Sequence, residues 1–327
     1  MALFCHQRKT SICADGTRIN CLSIICLSHS SHKHYPNVTL KGCGIGRQSL
    51  MSSGKCFKWL SNTTTTQMDI HLGRNAQPGE VPFIVYIQIG NYGGRGTGII
   101  LNERWILTAA HAIDFPINDL LVYPGVLDTN NMRTDNSYRP MQTFIHPMFK
   151  QTTKTHNPAF DIGLIKLGSD LPITGHRHHQ LGAYRTLNGI CLPRKLEINS
   201  VNELALYAGY GYIDETTKTL VNRLQLSYTM IIRAKNNTSD EQNRLIWSYR
   251  YPPEIGSRSC AGDSGGPLYQ YSGSTDGRAV LIGINSVSRS NHPCDVTDQI
   301  AYTLYPRVSM HIDWIIQLSI ICPVYWY

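Results

Sequence analysis

Three short segments of the 327-residue chain carry side chains suited to nucleophilic catalysis. In Gly262-Asp263-Ser264-Gly265-Gly266-Pro267 a serine stands in a glycine-rich run. A serine hydroxyl is a weak nucleophile and needs an adjacent base. It also needs backbone N–H groups aimed at the oxyanion that forms when it attacks a carbonyl. Glycine before and after the serine lets the main chain turn sharply and approach that carbonyl. In Thr108-Ala109-Ala110-His111 an imidazole follows the strand-like Trp105-Ile106-Leu107, which places it at a strand end. In Phe160-Asp161-Ile162-Gly163-Leu164 a lone carboxylate enters an apolar run. Buried there, Asp161 would orient an imidazole and stabilise its protonated form.

These side chains need a scaffold of strands. From Val81 onward the sequence is β-branched, aromatic-rich and punctuated by Gly and Asn, as in VPFIVYIQIG and GIILNERWILTAAHAI. Similar short runs recur at Asp161–Leu167, Leu204–Tyr212, Leu224–Arg233, Ala279–Val287 and Ala301–Val308. Many short strands separated by turn residues predict an antiparallel all-β sandwich or barrel. Met310–Leu318 spaces Ile312, Ile315 and Ile316 as a helix does and predicts a terminal helix.

With the three motifs in the order His, Asp, Ser, the chain resembles the chymotrypsin-like (trypsin-fold) serine peptidases. The intervals of 50 and 103 residues between His111, Asp161 and Ser264 are close to that family's. The resemblance covers about residues 70 to 320. It implies two six-stranded antiparallel β-barrels with a short C-terminal helix, preceded by a cysteine-containing pro-segment. It implies a serine endopeptidase working through an acyl-enzyme, with Gly262 and Ser264 supplying the oxyanion N–H groups. No cofactor or metal is implied; the partners are a protein or peptide substrate and protease inhibitors, including the serpin type. A secreted, non-catalytic homologue acting as a binding or regulatory protein is the alternative; retention of all three catalytic residues speaks against it.

Further positions carry over by resemblance. Ser286, Val287 and Ser288 match the strand that lines the primary pocket, and the Ser286 hydroxyl is expected to support Asp161. Arg258 and Ser259 match the pocket floor, where trypsin-like members have an acid six residues before the serine. Ser288 and Thr303 stand where the pocket wall is usually glycine. A cationic floor argues against cleavage after Lys or Arg. Two specificities remain open: an acidic residue selected by Arg258, or a small or aliphatic residue in a pocket that Thr303 makes shallow. Ile70 matches the mature N-terminus and lies 41 residues before His111. Its ammonium, freed by cleavage, is expected to pair with Asp263 and form the pocket. Asp69, not Arg or Lys, precedes it, and Leu72 stands at a usual glycine. Cys260 and Cys294 match a bridge across the pocket. Cys191 matches the cysteine that ties the domain to its pro-segment, with Cys56 the preferred partner and Cys43 the second; Cys322 is unassigned. The bridge that usually anchors the histidine loop is missing at both ends, Gly96 and Ala112.

Charge and cysteine usage divide the chain at the same place. The net charge is +8, but residues 1–69 hold 8 basic and 2 acidic side chains, a net of +6. The remainder is nearly balanced, which excludes a basic nucleic-acid surface spread over the protein. No apolar run approaches a membrane span. Six of ten cysteines fall in the first 56 residues, and sequons begin at Asn37, Asn62, Asn236 and Asn237. Together they predict a secreted, disulfide-bonded glycoprotein. Residues 1–69 are read as signal region, pro-segment and linker, with Ile19–Leu27 as the apolar core of the signal, and 70–327 as the peptidase domain. The histidines at 176, 178 and 179 lack neighbouring carboxylates or cysteines and read as an exposed loop. Asp128 and Asp135 are too few to make a calcium site.

Overall fold

The computed structural model describes residues 10–12, 18–20, 43, 73–90, 93–150, 157–173, 187–199, 201–214, 219–220, 222–232, 243–251, 258–272, 278–289 and 302–320. Two three-residue strands, β1 (Thr10–Ile12) and β2 (Arg18–Asn20), form an antiparallel pair.

The first main sheet contains β4 (Ile84–Ile89), β5 (Gly94–Ile100), β6 (Trp105–Thr108), β7 (Leu120–Pro124), β8 (Pro140–Ile145) and β9 (Gly163–Leu167). Their order is β7-β4-β5-β6-β9-β8. Val122 and Tyr138 exchange two backbone hydrogen bonds, of 3.0 and 2.7 Å, which join the two ends and close a six-stranded barrel.

The second sheet is built from β10 (Leu204–Gly209), β13 (Gln225–Ile232), β14 (Leu245–Arg250), β15 (Pro267–Tyr271), β16 (Ala279–Ile284) and β18 (Tyr302–Pro306) in the order β16-β15-β10-β13-β14-β18. A bridge between Gly283 and Arg307 closes this barrel. The two-residue β3 (Arg74–Asn75) adds onto β13, and the three-residue β17 (Val287–Arg289) adds onto β18. A hairpin of β11 (Tyr212–Asp214) and β12 (Thr219–Leu220) stands apart. The C-terminal helix runs Ile312–Ile320 and buries Ile312 and Ile315. No described helix is long and apolar enough to cross a membrane.

The strand sequences follow from there being three cores. Val85 and Ile87 point into the first barrel, whereas Ile84 and Tyr86 point into a core shared by both barrels. In β10, Ala205 and Tyr207 fill the second barrel while Leu206 and Ala208 face the shared core. Successive side chains on a strand alternate faces. With both faces buried, these strands read as nearly continuous apolar runs instead of an apolar–polar alternation.

Cys43 and Cys191 are joined, with Cα atoms 4.9 Å apart. This corrects the preference for Cys56 as the partner of Cys191. Loops of 148 residues and, for Cys56, 135 differ in closure cost by only about 0.1 kcal/mol, so nearness to Ile70 decides nothing. Cys43 and Cys191 are both almost wholly enclosed and pack on Val280. Cys260 is also disulfide-bonded. Its expected partner Cys294, together with Cys56, Cys322, Ile70, Leu72 and the histidines at 176, 178 and 179, lies outside the described residues.

Candidate active site

Strand pairing brings the first two motifs together. β6 and β9 are antiparallel, with Thr108 opposite Gly163. His111 opens a 3-10 turn three residues beyond β6. Asp161 follows the turn Pro158–Phe160, two residues before β9. His111 Nδ1 lies 2.7 Å from Asp161 Oδ2, and the His111 backbone N–H donates to Asp161 Oδ1 at 2.9 Å. The second contact fixes the loop itself, so carboxylate and imidazole cannot drift apart by side-chain rotation alone.

The same logic assembles the other half. β15 and β16 pair with Pro267 opposite Ile284, so Ser264 and Ser286 leave the sheet side by side. Gly265 N–H donates to Asn285 O at 2.7 Å. The two halves meet where the Ser286 hydroxyl donates to Asp161 Oδ2 at 2.6 Å. Asp161, with only 3% of its surface exposed, thus accepts from an imidazole, a hydroxyl and a backbone N–H.

The nucleophile segment is fastened to the first barrel through Thr97, a fully buried residue that sequence reading missed. Its N–H donates to Ser264 O at 2.8 Å and its hydroxyl to Gly262 O at 2.9 Å, while it accepts from Tyr210 N–H. Its only sequence signal is a lone hydroxyl in the glycine-rich stretch Gly93–Gly98. Gly262 and Gly265 have φ of +99° and +84°, values that side-chain-bearing residues rarely adopt. In this segment the N–H groups of Asp263, Gly265 and Gly266 all have backbone acceptors. Those of Gly262 and Ser264 have none among the described residues. No hydrogen bond joins Ser264 Oγ to His111 among the described residues; such bonds commonly tighten only when substrate is bound.

Burial by itself would lower the His111 pKa, but the hydrogen bond to Asp161 and its charge outweigh that and hold it above the ordinary imidazole value. Asp263 behaves differently. Burial pushes it up to about 6, with partial relief from the N–H groups of Cys260 and Gly211, which donate at 2.8 and 2.7 Å.

The expected pocket residues also converge. Ser288 is paired opposite Thr303 across β17 and β18. Ser259 Oγ lies 2.7 Å from Ser288 Oγ and 3.2 Å from Thr303 Oγ1, and Ser288 Oγ also donates to Ser259 O. Three hydroxyls therefore lie within hydrogen-bonding distance of one another at the expected pocket. Arg258, part-buried, immediately precedes Ser259, and Val287 packs with Phe160 and Leu304. Gly96 and Ala112 do face each other: a Cβ on Gly96 would stand 3.4 Å from Ala112 Cβ. Asp128 and Asp135 pair with Arg223 and Arg133, and no metal-like cluster of His, Cys, Asp or Glu is found among the described residues.

The family model named Trypsin matches residues 70–315. The chain is 33% identical over 227 residues to the venom peptide isomerase heavy chain of Agelenopsis aperta, covering 64% of this chain and 86% of that one. It is 28% identical to coagulation factor IX of Oryctolagus cuniculus over 74% of this chain and 82% of the relative. Coagulation factor XI of Bos taurus is 27% identical over 79% of this chain, which spans only 39% of that protein. A model match over most of the chain, on two closed barrels, establishes that this protein belongs to the trypsin family.

Proposed function

We propose that the protein is a secreted serine endopeptidase that hydrolyses peptide bonds through an acyl-enzyme. The observation that carries this reading is the array Ser286–Asp161–His111, hydrogen-bonded across the two barrels beside the Ser264 segment. Asp161 holds Nδ1 of His111, which leaves Nε2 to take the Ser264 proton as Oγ attacks the substrate carbonyl carbon. The N–H groups of Gly262 and Ser264 would receive the oxyanion. The imidazolium then returns its proton to the departing amine, and water repeats the sequence to release the acid. Labelling by a fluorophosphonate probe that is lost in Ser264→Ala is expected. A cleaved, folded protein that never labels would favour the binding reading. One relative is named a peptide isomerase, so peptide products should also be weighed: fragments speak for hydrolysis, an unchanged mass against it.

The hydroxyl triangle supports a shallow pocket for small residues over an open one in which Arg258 selects an acid. Ser288→Gly with Thr303→Gly removes two of its three corners. The double variant should gain about tenfold in kcat/KM for a Leu or Met substrate relative to Ala, since one or two methylenes are worth 1–3 kcal/mol in such a pocket. A positional-scanning peptide library measures this directly.

Cleavage before Ile70 is the proposed activation step. In register, Asn75 lies opposite Gln225, and Gln225 opposite Gly209, whose backbone lies against the Asp263 carboxylate. Two strand spacings make about 10 Å. Arg74 is also held in β3, and the four residues from it to Ile70 reach up to about 14 Å, enough length to bring the ammonium to Asp263. The segment released from the domain would stay attached through Cys43 and Cys191.

A further inference from the structure

One cation beside the nucleophile has no part in the scheme above. Arg95 is the second residue of β5, next to Gly96, whose added Cβ would stand 3.6 Å from Ser264 O. The Arg95 methylene stem crosses Gly262: a Cβ there would meet Arg95 Cδ at 2.9 Å and Cγ at 3.0 Å. Its guanidinium lies 5.5 Å from the Tyr212 ring centroid and 6.0 Å from that of Tyr86. The buried Nε makes no hydrogen bond among the described residues. Among the described residues the charge thus lies beside aromatic faces and pairs with no carboxylate. A planar guanidinium fixed in this way loses little freedom when it binds an acid.

The position says which acid. The recess of Ser259, Ser288 and Thr303 belongs to the second barrel, and Arg95 comes from the first. The segment 259–264 runs from one to the other, so a substrate laid across Ser264 meets the recess on one side and Arg95 on the other. A side chain seated in the recess belongs to the residue before the cut. Those near Arg95 belong to the departing half. We propose that Arg95 selects substrates carrying an acidic side chain within the first two residues after the scissile bond. This inference rests on the peptidase reading and adds a specificity that the recess cannot supply.

The test uses the cleaved full-length protein and internally quenched peptides identical up to the cut, with Glu, Ala or Lys in the two positions after it. Glu peptides should exceed Lys peptides by about tenfold in kcat/KM, a typical discrimination for a part-desolvated charge pair. Arg95→Lys should keep that order and Arg95→Glu should reverse it, with folding checked by circular dichroism. Equal rates for Glu and Lys peptides, or the wild-type ratio persisting in Arg95→Gln, would overturn the proposal and mark the tyrosine clamp as purely structural. A small ester that ends at the scissile bond separates the two failures. If the ester is hydrolysed while the peptides show no preference, only the Arg95 proposal falls. If the ester is untouched, the peptidase reading falls and takes this one with it.

Discussion

Two aspartates of this protein are buried to nearly the same degree, Asp161 at 3% and Asp263 at 6% exposure, yet they are in opposite electrostatic condition. Asp161 sits between an imidazole and a hydroxyl, with a backbone N–H beneath it. Asp263 has two backbone N–H groups and, among the described residues, no paired cation, and burial pushes it up to about 6. A buried carboxylate is costly unless its charge is compensated. The charge of the first-barrel acid is therefore compensated by its neighbours, whereas that of the acid next to the nucleophile is compensated only by the two N–H groups among the described residues. Under the proposed activation, folding alone completes the base side, and cleavage before Ile70 would complete the nucleophile side.

Substitutions at the two acids should expose that asymmetry. Asp161→Asn is expected to have the largest effect, a loss of about 10⁴-fold in kcat near neutral pH, because the imidazole loses its orienting anion. Its second signature is in the pH profile. The wild-type acid limb should lie above the ordinary imidazole pKa, since Asp161 raises His111. In the variant the limb should move to lower pH. A limb that stays in place would mean that Asp161 does not set the base.

Asp263→Asn should act on stability, and only in one pH range. The folded-state pKa of about 6 is above the ordinary 3.8, so folding retains a proton that the unfolded chain gives up. The penalty is absent below about pH 4, grows between 4 and 6, and is complete above, at about 3 kcal/mol. The uncleaved variant should accordingly be about 2 kcal/mol more stable than wild type at pH 7.5 and no more stable at pH 4, as read from urea unfolding. In the protein cleaved before Ile70 the order should invert. A gap independent of pH would break the contrast between the acids.

Ser286→Ala is the smallest of the three perturbations. It deletes one short hydrogen bond to a carboxylate that keeps its other two donors. A loss of about tenfold in kcat is expected, the value of one charge-assisted hydrogen bond. A much larger loss would show that the contact between barrels, and not the His111–Asp161 pair, holds the site together.

Much of this was legible in the residues. The strand-end position of His111 and the burial of Asp161 follow from short motifs whose roles are local, whereas the support from Ser286 came with the family resemblance. The antiparallel all-β character and the terminal helix came from pattern, and the six-strand count of each barrel from the family resemblance. β7, β8, β14 and β15 did not, for a physical reason: Leu245–Arg250 and Pro140–Ile145 mix apolar, aromatic and polar residues without a clean period. Thr97 and Arg95 were invisible, and the Cys43 partnership was available only as the second choice. Each depends on a contact between segments far apart in sequence, 165 residues for Thr97 and Gly262 and 148 for the disulfide.

The sulfur atoms are distributed as unevenly as the charges. Between Cys56 and Cys191 the sequence has no cysteine at all, and the place beside His111 where a bridge would sit is occupied by the close approach of Gly96 to Ala112. A reductant would open the Cys43–Cys191 bridge, freeing the N-terminal segment only in a chain already cleaved before Ile70, and would open the bridge at Cys260. In the barrel that carries His111 and Asp161 it would find nothing to react with.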